Sequence, residues 1–472
     1  METQHKYGQT GIIGIRKEDK SKWERRTAIT PMHVNQLLHE YPDLKFIVQP
    51  SNNRIFKDIE YVKAGAIISD DLSQCCVIFG IKEIPIEALM PNRTYVFFSH
   101  TIKGQEHNMQ MLDHIIKNNI RLIDYEKITD NSNNRLVAFG QFAGNAGTID
   151  FLSEMGRYFL NMGYSTPFLN ISQSYFYKNL EKAKENLYAI GKDIVTDGIP
   201  QNYLPLIFAI TGTGRCATGV MEILEQLPTQ YIDADEIAYL VKDKHNPKHK
   251  HVIYVTVINA QHMVAPIEST INRPIASSLD KPIDVNKVFN KNEYYKHPEL
   301  YKPIFHEKYL PYISVIYHCA YWEKKFHRLI TTEQIKELAI NNNLRLFGIC
   351  DISCDLNGSI EILKEYTTID NPTFLYNPIS QEYSNDVTTI TKTNPNIIYQ
   401  AIDHLPTELP HDSSVYFAEQ LYPYINNLAV NNINEDGKFE DKLLSEPIKK
   451  AIIVTNGNLT EQFAYINNIR FC

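Results

Sequence analysis

Two apolar runs each close on one side chain able to move a proton. CVIFGIKE (residues 76–83) carries Lys82 next to its last position, and TYVFFSHT (residues 94–101) carries His100 next to its own. Each run reads as a short strand buried on both faces, the form strands take in a parallel sheet. Ligands of such sheets collect beyond the carboxyl ends of the strands. The sequence thus sets an amine and an imidazole, 18 residues apart, at one rim of one sheet. Burial and a positive neighbour lower a lysine pKa toward neutrality, which makes the two a proton-transfer pair. A lone lysine after a strand is more often a solvated strand end, and a lone histidine a satisfied loop residue. The surroundings decide.

Those surroundings include GIRKEDKSKWERRTAITP (residues 14–31), which interleaves Arg16, Lys17, Lys20, Lys22, Arg25 and Arg26 with Glu18, Asp19 and Glu24. It runs from the first expected strand to the first expected helix, so it occupies the same rim as Lys82 and His100. Arginine grips carboxylates through two parallel hydrogen bonds. Several cations together suit a substrate with several carboxylates.

A second chemical signal is GTGRCATG (residues 212–219), which follows the apolar strand LPLIFAI and opens a helix. Gly212, Gly214 and Ala217 fit the G-x-G-x-x-G/A spacing, and Gly219 follows two residues later. Glycines there let backbone N–H groups approach a pyrophosphate at the helix N-terminus. About 20 residues on, the next strand (TQYID) ends at Asp233, where an acid would hold a ribose 2′-hydroxyl. Asp233 points to NAD(H), because a carboxylate repels a 2′-phosphate, and Arg215 inside the loop would offset this for NADP(H).

The elements that carry these residues alternate. Strands GIIGIRK, KFIVQP, the two opening runs and RLIDYEK are separated by helical stretches, the first opened by Pro31 after Thr30. This rhythm is that of a parallel α/β sheet. A long helix after VAFGQFAG carries Asp150, Glu154 and Arg157 and reads as a core helix. We expect two Rossmann-like parallel-sheet domains. A discontinuous substrate domain spans residues 1–165 and 403–472, and a dinucleotide-binding domain spans 166–402 with a loop-rich insertion near 242–310.

Composition narrows the classes. The chain has 472 residues, 43% apolar and 22% charged, with a net charge of -8. No basic stripe marks a nucleic-acid surface, and no run of about 18 apolar residues marks a membrane span. The amino terminus shows no secretory or organellar signal, which points to the cytoplasm. Seven cysteines, several inside apolar runs, suit buried thiols in a reducing compartment. Cys350 and Cys354 lack a second pair, and His245, His249 and His251 sit among lysines, so no metal site is expected.

Taken together, GIRKEDKSKWERRTAITP, GIKE, FFSHTIK, RLIDYEK, RLVAFGQFAG, ICDISCDLNGSIE and IDHLPTELP resemble the lysine–2-oxoglutarate reductase half of the bifunctional α-aminoadipic semialdehyde synthases. The resemblance runs from about residue 7 to residue 470. More distantly the chain is similar to lysine-forming saccharopine dehydrogenases and to alanine dehydrogenase. The resemblance implies an active site in a cleft between two domains. It implies that the ε-amine of lysine condenses with 2-oxoglutarate and that NADPH reduces the imine to saccharopine. Lys82 and His100 would be the acid–base residues. Arg16, Glu18 and Arg26 would bind substrate, with Arg26 foremost as carboxylate clamp, and Lys103, Tyr125, Glu126 and Arg135 would line the same cleft. Asp403, His404 and Leu405 would lie near the nicotinamide. Bifunctional members continue into a saccharopine-cleaving enzyme, so this chain is expected to act as a free-standing reductase or beside such an enzyme on another chain, as a homo-oligomer in some settings, and in mitochondria if it follows its family. Two other readings compete. One is the same chemistry run with NAD, as a lysine-forming saccharopine dehydrogenase. The other is a non-catalytic dinucleotide carrier like the soluble component of transhydrogenase, which would have no use for Lys82, His100 and Arg26.

Overall fold

A computed structural model describes residues 8–267, 289–389, 396–429, 433–434 and 437–470. The chain forms two compact units, one from residues 1–139 and 410–472 and the other from residues 140–409. The first unit begins with β1 (Gln9–Ile15), β2 (Lys45–Val48), β3 (Ile67–Ile68), β4 (Cys75–Phe79), β5 (Thr94–Phe97) and β6 (Arg121–Asp124). They pair in the order β6-β5-β4-β1-β2-β3, all parallel. That is the doubly wound order, and it puts the switch point between β1 and β4. Every residue of β4, β5 and β6 is buried, as their continuous apolar runs require. Helices Pro31–Glu40 and Glu106–Lys117 cover the sheet with apolar stripes that include Leu37 and Leu112.

The chain then builds the second unit. Its strands are β7 (Leu206–Thr211), β8 (Thr229–Tyr231), β9 (Ile253–Ile258), the short pair β10 (Val264–Pro266) and β11 (Tyr301–Pro303), β12 (Val315–His318), β13 (Gly348–Asp351), β14 (Phe374–Tyr376), β15 (Tyr383–Ser384) and β16 (Ile397–Gln400). The main sheet runs β15-β14-β16-β13-β12-β7-β9-β8. Beyond residue 410 the chain returns to the first unit, where β17 (Ile452–Thr455) pairs antiparallel with β6 and with β18 (Asn458–Leu459).

Two expectations about this unit need correcting. The boundary falls at 139/140 and 409/410, not near 165 and 403. The reason is helix Gly140–Asn161, whose Gly144 meets Gly219 of helix Arg215–Leu224 so closely that a Cβ on either glycine would overlap the other helix's backbone. That crossing fastens the long helix to the second unit. The second correction concerns the expected insertion at 242–310, part of which lies outside the described residues. Its segment IYVTVI is β9, a buried strand paired with β7 over six residues. The Lys- and His-rich sequence before it masked a β-branched run of the kind strands favour.

Candidate active site

The carboxyl ends of β1, β4, β5 and β6 lie side by side. The Arg16 N–H donates to the Phe79 carbonyl, Gly80 N–H to Val96 and Phe98 N–H to Ile81, each at 3.0 Å, so the ladder continues past the strands into the loops that carry the candidate residues. Arg16 and Glu18 leave β1, Lys82 leaves β4, His100 leaves β5, and Tyr125 and Glu126 leave β6. Arg16 and Lys82 flank the switch point of the sheet.

The turn at Lys82 is held by Glu18, whose carboxylate accepts the N–H groups of Ile81 at 2.7 Å and Lys82 at 3.0 Å. Burial pushes the Glu18 carboxyl up to about 7, against the pull of the Arg16 charge. The Lys82 ammonium makes no hydrogen bond or ion pair with a described residue. Its charge does help to depress the Glu24 carboxyl. Burial alone would raise Glu24; Arg26 outweighs it through a two-pronged pair of 2.6 and 2.8 Å. Arg26 also lies 4.2 Å from the centre of the Phe139 ring. The residue expected as carboxylate clamp is thus already clamped by a buried glutamate. Arg16 is buried as well, with one nitrogen on Asp19 at 2.7 Å and Nη1 without a hydrogen-bond partner.

His100 sits in the left-handed region, at φ +48°. The turn is fixed by buried Asp124, which accepts the Ser99 N–H at 2.9 Å and the Ser99 hydroxyl at 2.5 Å. The His100 Nδ1 lies 2.7 Å from a carboxylate oxygen of Glu83. Burial would raise Glu83, but the bond and charge of His100, aided by Lys20 at 3.6 Å, hold it down at about 2. Glu83 and Glu24 are the residues that sequence reasoning passed over. Their signal was adjacency, since each sits one or two places from a residue that was singled out.

The remaining expected residues divide. Tyr125 is fully buried and donates its hydroxyl to the Gly80 carbonyl at 3.0 Å, within a cluster of Phe98, Phe139 and Phe417. It braces the Lys82 loop from below. Glu126 pairs with Arg135 at 3.4 Å, and Lys103 is exposed on the helix side of His100.

In the second unit, Gly212 takes φ +85°, and a Cβ on Gly214 would meet nothing within 4 Å. The loop leaves open space at the start of helix Arg215–Leu224, where Arg215 is exposed and Ala217 and Gly219 are buried. That open, positive helix end fits a pyrophosphate. A cavity of about 600 Å³ lies over the loop. Asp403 is exposed, His404 half-buried, and Leu405 is buried against Gly147. Asp233 departs from expectation. β9 lies between β7 and β8, so the acid sits roughly 10 Å out from β7, two strand spacings, where the fold's ribose-holding acid would sit one away. Asp233 is exposed, and its N–H donates to Glu236.

Two mainly parallel α/β units, one with Arg16, Lys82 and His100 at the carboxyl ends of neighbouring strands and one with a glycine loop under an open cavity, have the architecture of the dinucleotide-binding α/β proteins. Residues 14–146 match the family described as alanine dehydrogenase/PNT, N-terminal domain. Alpha-aminoadipic semialdehyde synthase of Arabidopsis thaliana is 39% identical over 98% of this chain and 42% of its own length. The mitochondrial enzyme of that name from Bos taurus is 35% identical over 97% of this chain and 48% of its own. Among solved structures, an L-alanine dehydrogenase superposes with a TM-score of 0.55 at 13% identity, covering 97% of this chain and 98% of that one, a likeness of fold. Over nearly its whole length the chain is similar to part of the alpha-aminoadipic semialdehyde synthases, and more distantly, at 24% identity, to a lysine-forming saccharopine dehydrogenase of Candida glabrata. It spans about half the length of the curated synthases it matches.

Proposed function

We propose that this chain condenses L-lysine with 2-oxoglutarate and reduces the imine to saccharopine, using NADPH. The observation that carries the reading is the cluster at one sheet edge: Lys82 without a partner among the described residues, His100 bonded to ionised Glu83, and Arg16 with a buried nitrogen that no described group hydrogen-bonds. Lysine arrives as an ammonium with a pKa near 10.4, so a base must take a proton before the amine attacks the ketone. The carbinolamine then sheds water with help from a general acid.

The residues divide these tasks. Because Glu83 stays ionised, the His100 Nδ1 carries the hydrogen and donates it to Glu83, leaving Nε2 to exchange protons with substrate. Lys82, close enough to lower the Glu24 carboxyl, is the second proton carrier. Arg16 meets a substrate carboxylate through Nη1. Arg26, Lys103, Tyr125, Glu126 and Arg135 frame that edge. In the second unit, Gly212, Gly214, Arg215, Ala217 and Gly219 would hold the pyrophosphate, and Asp403, His404 and Leu405 would lie toward the nicotinamide, which when bound supplies the hydride. The outward position of Asp233 removes the carboxylate that would reject a 2′-phosphate, which favours NADPH over NADH. Its relatives from mammals are named as mitochondrial, and that compartment is the one we assign.

Purified chain supplied with lysine, 2-oxoglutarate and either NADPH or NADH decides the matter. Saccharopine should form faster with NADPH. Faster turnover with NADH would make the chain a lysine-forming saccharopine dehydrogenase of the NAD type, and turnover with neither would leave a dinucleotide carrier.

A further inference from the structure

The segment after β9 builds a core of its own. Buried Val264, Tyr294, Tyr301 and Phe326 pack together, with Phe289 and Trp322 half-buried against them. The loop that follows β12 is stitched to this core: His327 Nε2 lies 2.7 Å from the Tyr301 carbonyl, and the Trp322 indole donates to the His327 carbonyl at 3.1 Å. Together these pieces wall the cavity over Gly212 and Gly214, and Asn259, the residue after β9, lines it too. The described lining residues include Lys291 and Arg328 and no carboxylate. Arg328 lies 5.8 Å from the Trp322 ring, and its Nη1 is 3.5 Å from Glu361 without a hydrogen bond. The other oxygen of Glu361 accepts from Thr332 at 3.0 Å.

In a doubly wound sheet the adenosine half of a dinucleotide lies over the neighbour of the first strand. Here that neighbour is β9, and Asn259 follows it where the usual fold has an acid. A guanidinium backed by an indole is built for phosphate: it forks two hydrogen bonds and keeps its charge. We propose that the aromatic core after β9 is the adenosine-end pocket, and that Arg328 is the residue that selects a phosphate on the adenosine ribose. This inference rests on the dinucleotide reading above and adds the residue that sets its specificity. Asp233 takes no part in it.

The test is equilibrium binding, read from tryptophan fluorescence or calorimetry, with NADPH, NADH, 2′,5′-ADP and 5′-ADP as probes. Arg328→Gln should weaken NADPH and 2′,5′-ADP about tenfold or more, the loss expected for a charge-assisted bond, and leave NADH and 5′-ADP within about twofold. Arg328→Lys should fall between, since it keeps charge and loses the fork. Asp233→Asn should change none of the four. Equal weakening of all probes by Arg328→Gln would mark a structural role and overturn the assignment, as would no change. A selective gain in NADPH affinity from Asp233→Asn would overturn it in favour of the acid. If the unaltered chain binds none of the probes, the dinucleotide reading itself falls, and this inference with it.

Discussion

Lys82 stands apart from the charged side chains around it. Glu18 holds its backbone, Arg26 is bound by Glu24, and His100 is bound by Glu83, while its own ammonium has no described partner. A general acid or base in that position contributes about 10²- to 10⁴-fold. Lys82→Met should therefore cost turnover by that order while cofactor affinity stays unchanged, and His100→Gln should cost less. Unchanged turnover in Lys82→Met would remove the residue from the mechanism. The arginines separate by their surroundings. Arg16→Gln should raise KM for 2-oxoglutarate about tenfold with the fold intact. Arg26→Gln strands Glu24 as an unpaired buried charge and should lower stability by about 3–5 kcal/mol, seen as a shift in denaturant midpoint. The pair at His100 has a pH signature. Glu83 is held at about 2, below its ordinary value of 4.5, so its contribution to stability is complete above about pH 4.5 and is lost as pH falls toward 2. Glu83→Gln should flatten stability across that window. A wild-type slope retained in Glu83→Gln would place the effect elsewhere.

Elements hold these side chains in place, and one of them carries its own titration. Helix Gly140–Asn161 buries Asp150, which accepts the Ser174 N–H at 2.7 Å. Burial drives its carboxyl up, toward about 6, although Glu408 and Ser174 hydrogen-bond to it. A raised carboxyl means that the folded state keeps a proton the unfolded chain has lost. Stability should thus fall as pH rises from about 4 to about 6 and then level off. Asp150→Asn should reduce that fall in urea titrations at pH 4 and 7, leaving the part due to Glu18, whose carboxyl is also raised, and an identical fall in the variant would refute it. The same helix depends on two glycines. Gly219→Ala would press a methyl onto the Gln141 carbonyl and should destabilise the second unit by about 1–3 kcal/mol.

The molecule as a whole was unevenly legible in its sequence. Unit-one strands were readable because runs such as CVIFG and TYVFF are apolar throughout, and a strand buried on both faces leaves that mark. Lys82, His100, Arg16 and Glu18 could be placed at one edge from it, because parallel strands put all their carboxyl ends together. What escaped was pairing. Neither the Glu83–His100 bond nor the Glu24–Arg26 fork has a spacing rule, since each depends on loop conformation, such as the left-handed turn at His100. Strand order escaped as well. The motif GTGRCATG followed by TQYID has the spacing of a strand and its neighbour, yet β9 takes the place beside β7, and the acid moves outward with β8. The membrane question has a narrower answer: no helix among the described residues is long and apolar enough to cross a bilayer.

The most direct measurement follows nicotinamide absorbance in a mixture of purified chain, L-lysine, 2-oxoglutarate and NADPH, with the product identified by mass, for the wild type and Lys82→Met side by side. Our account predicts lysine- and 2-oxoglutarate-dependent oxidation of NADPH, saccharopine as the product, and a loss of about 10²-fold or more in the variant. Absence of saccharopine from the wild-type reaction with either nicotinamide, or equal rates in the two proteins, would contradict it.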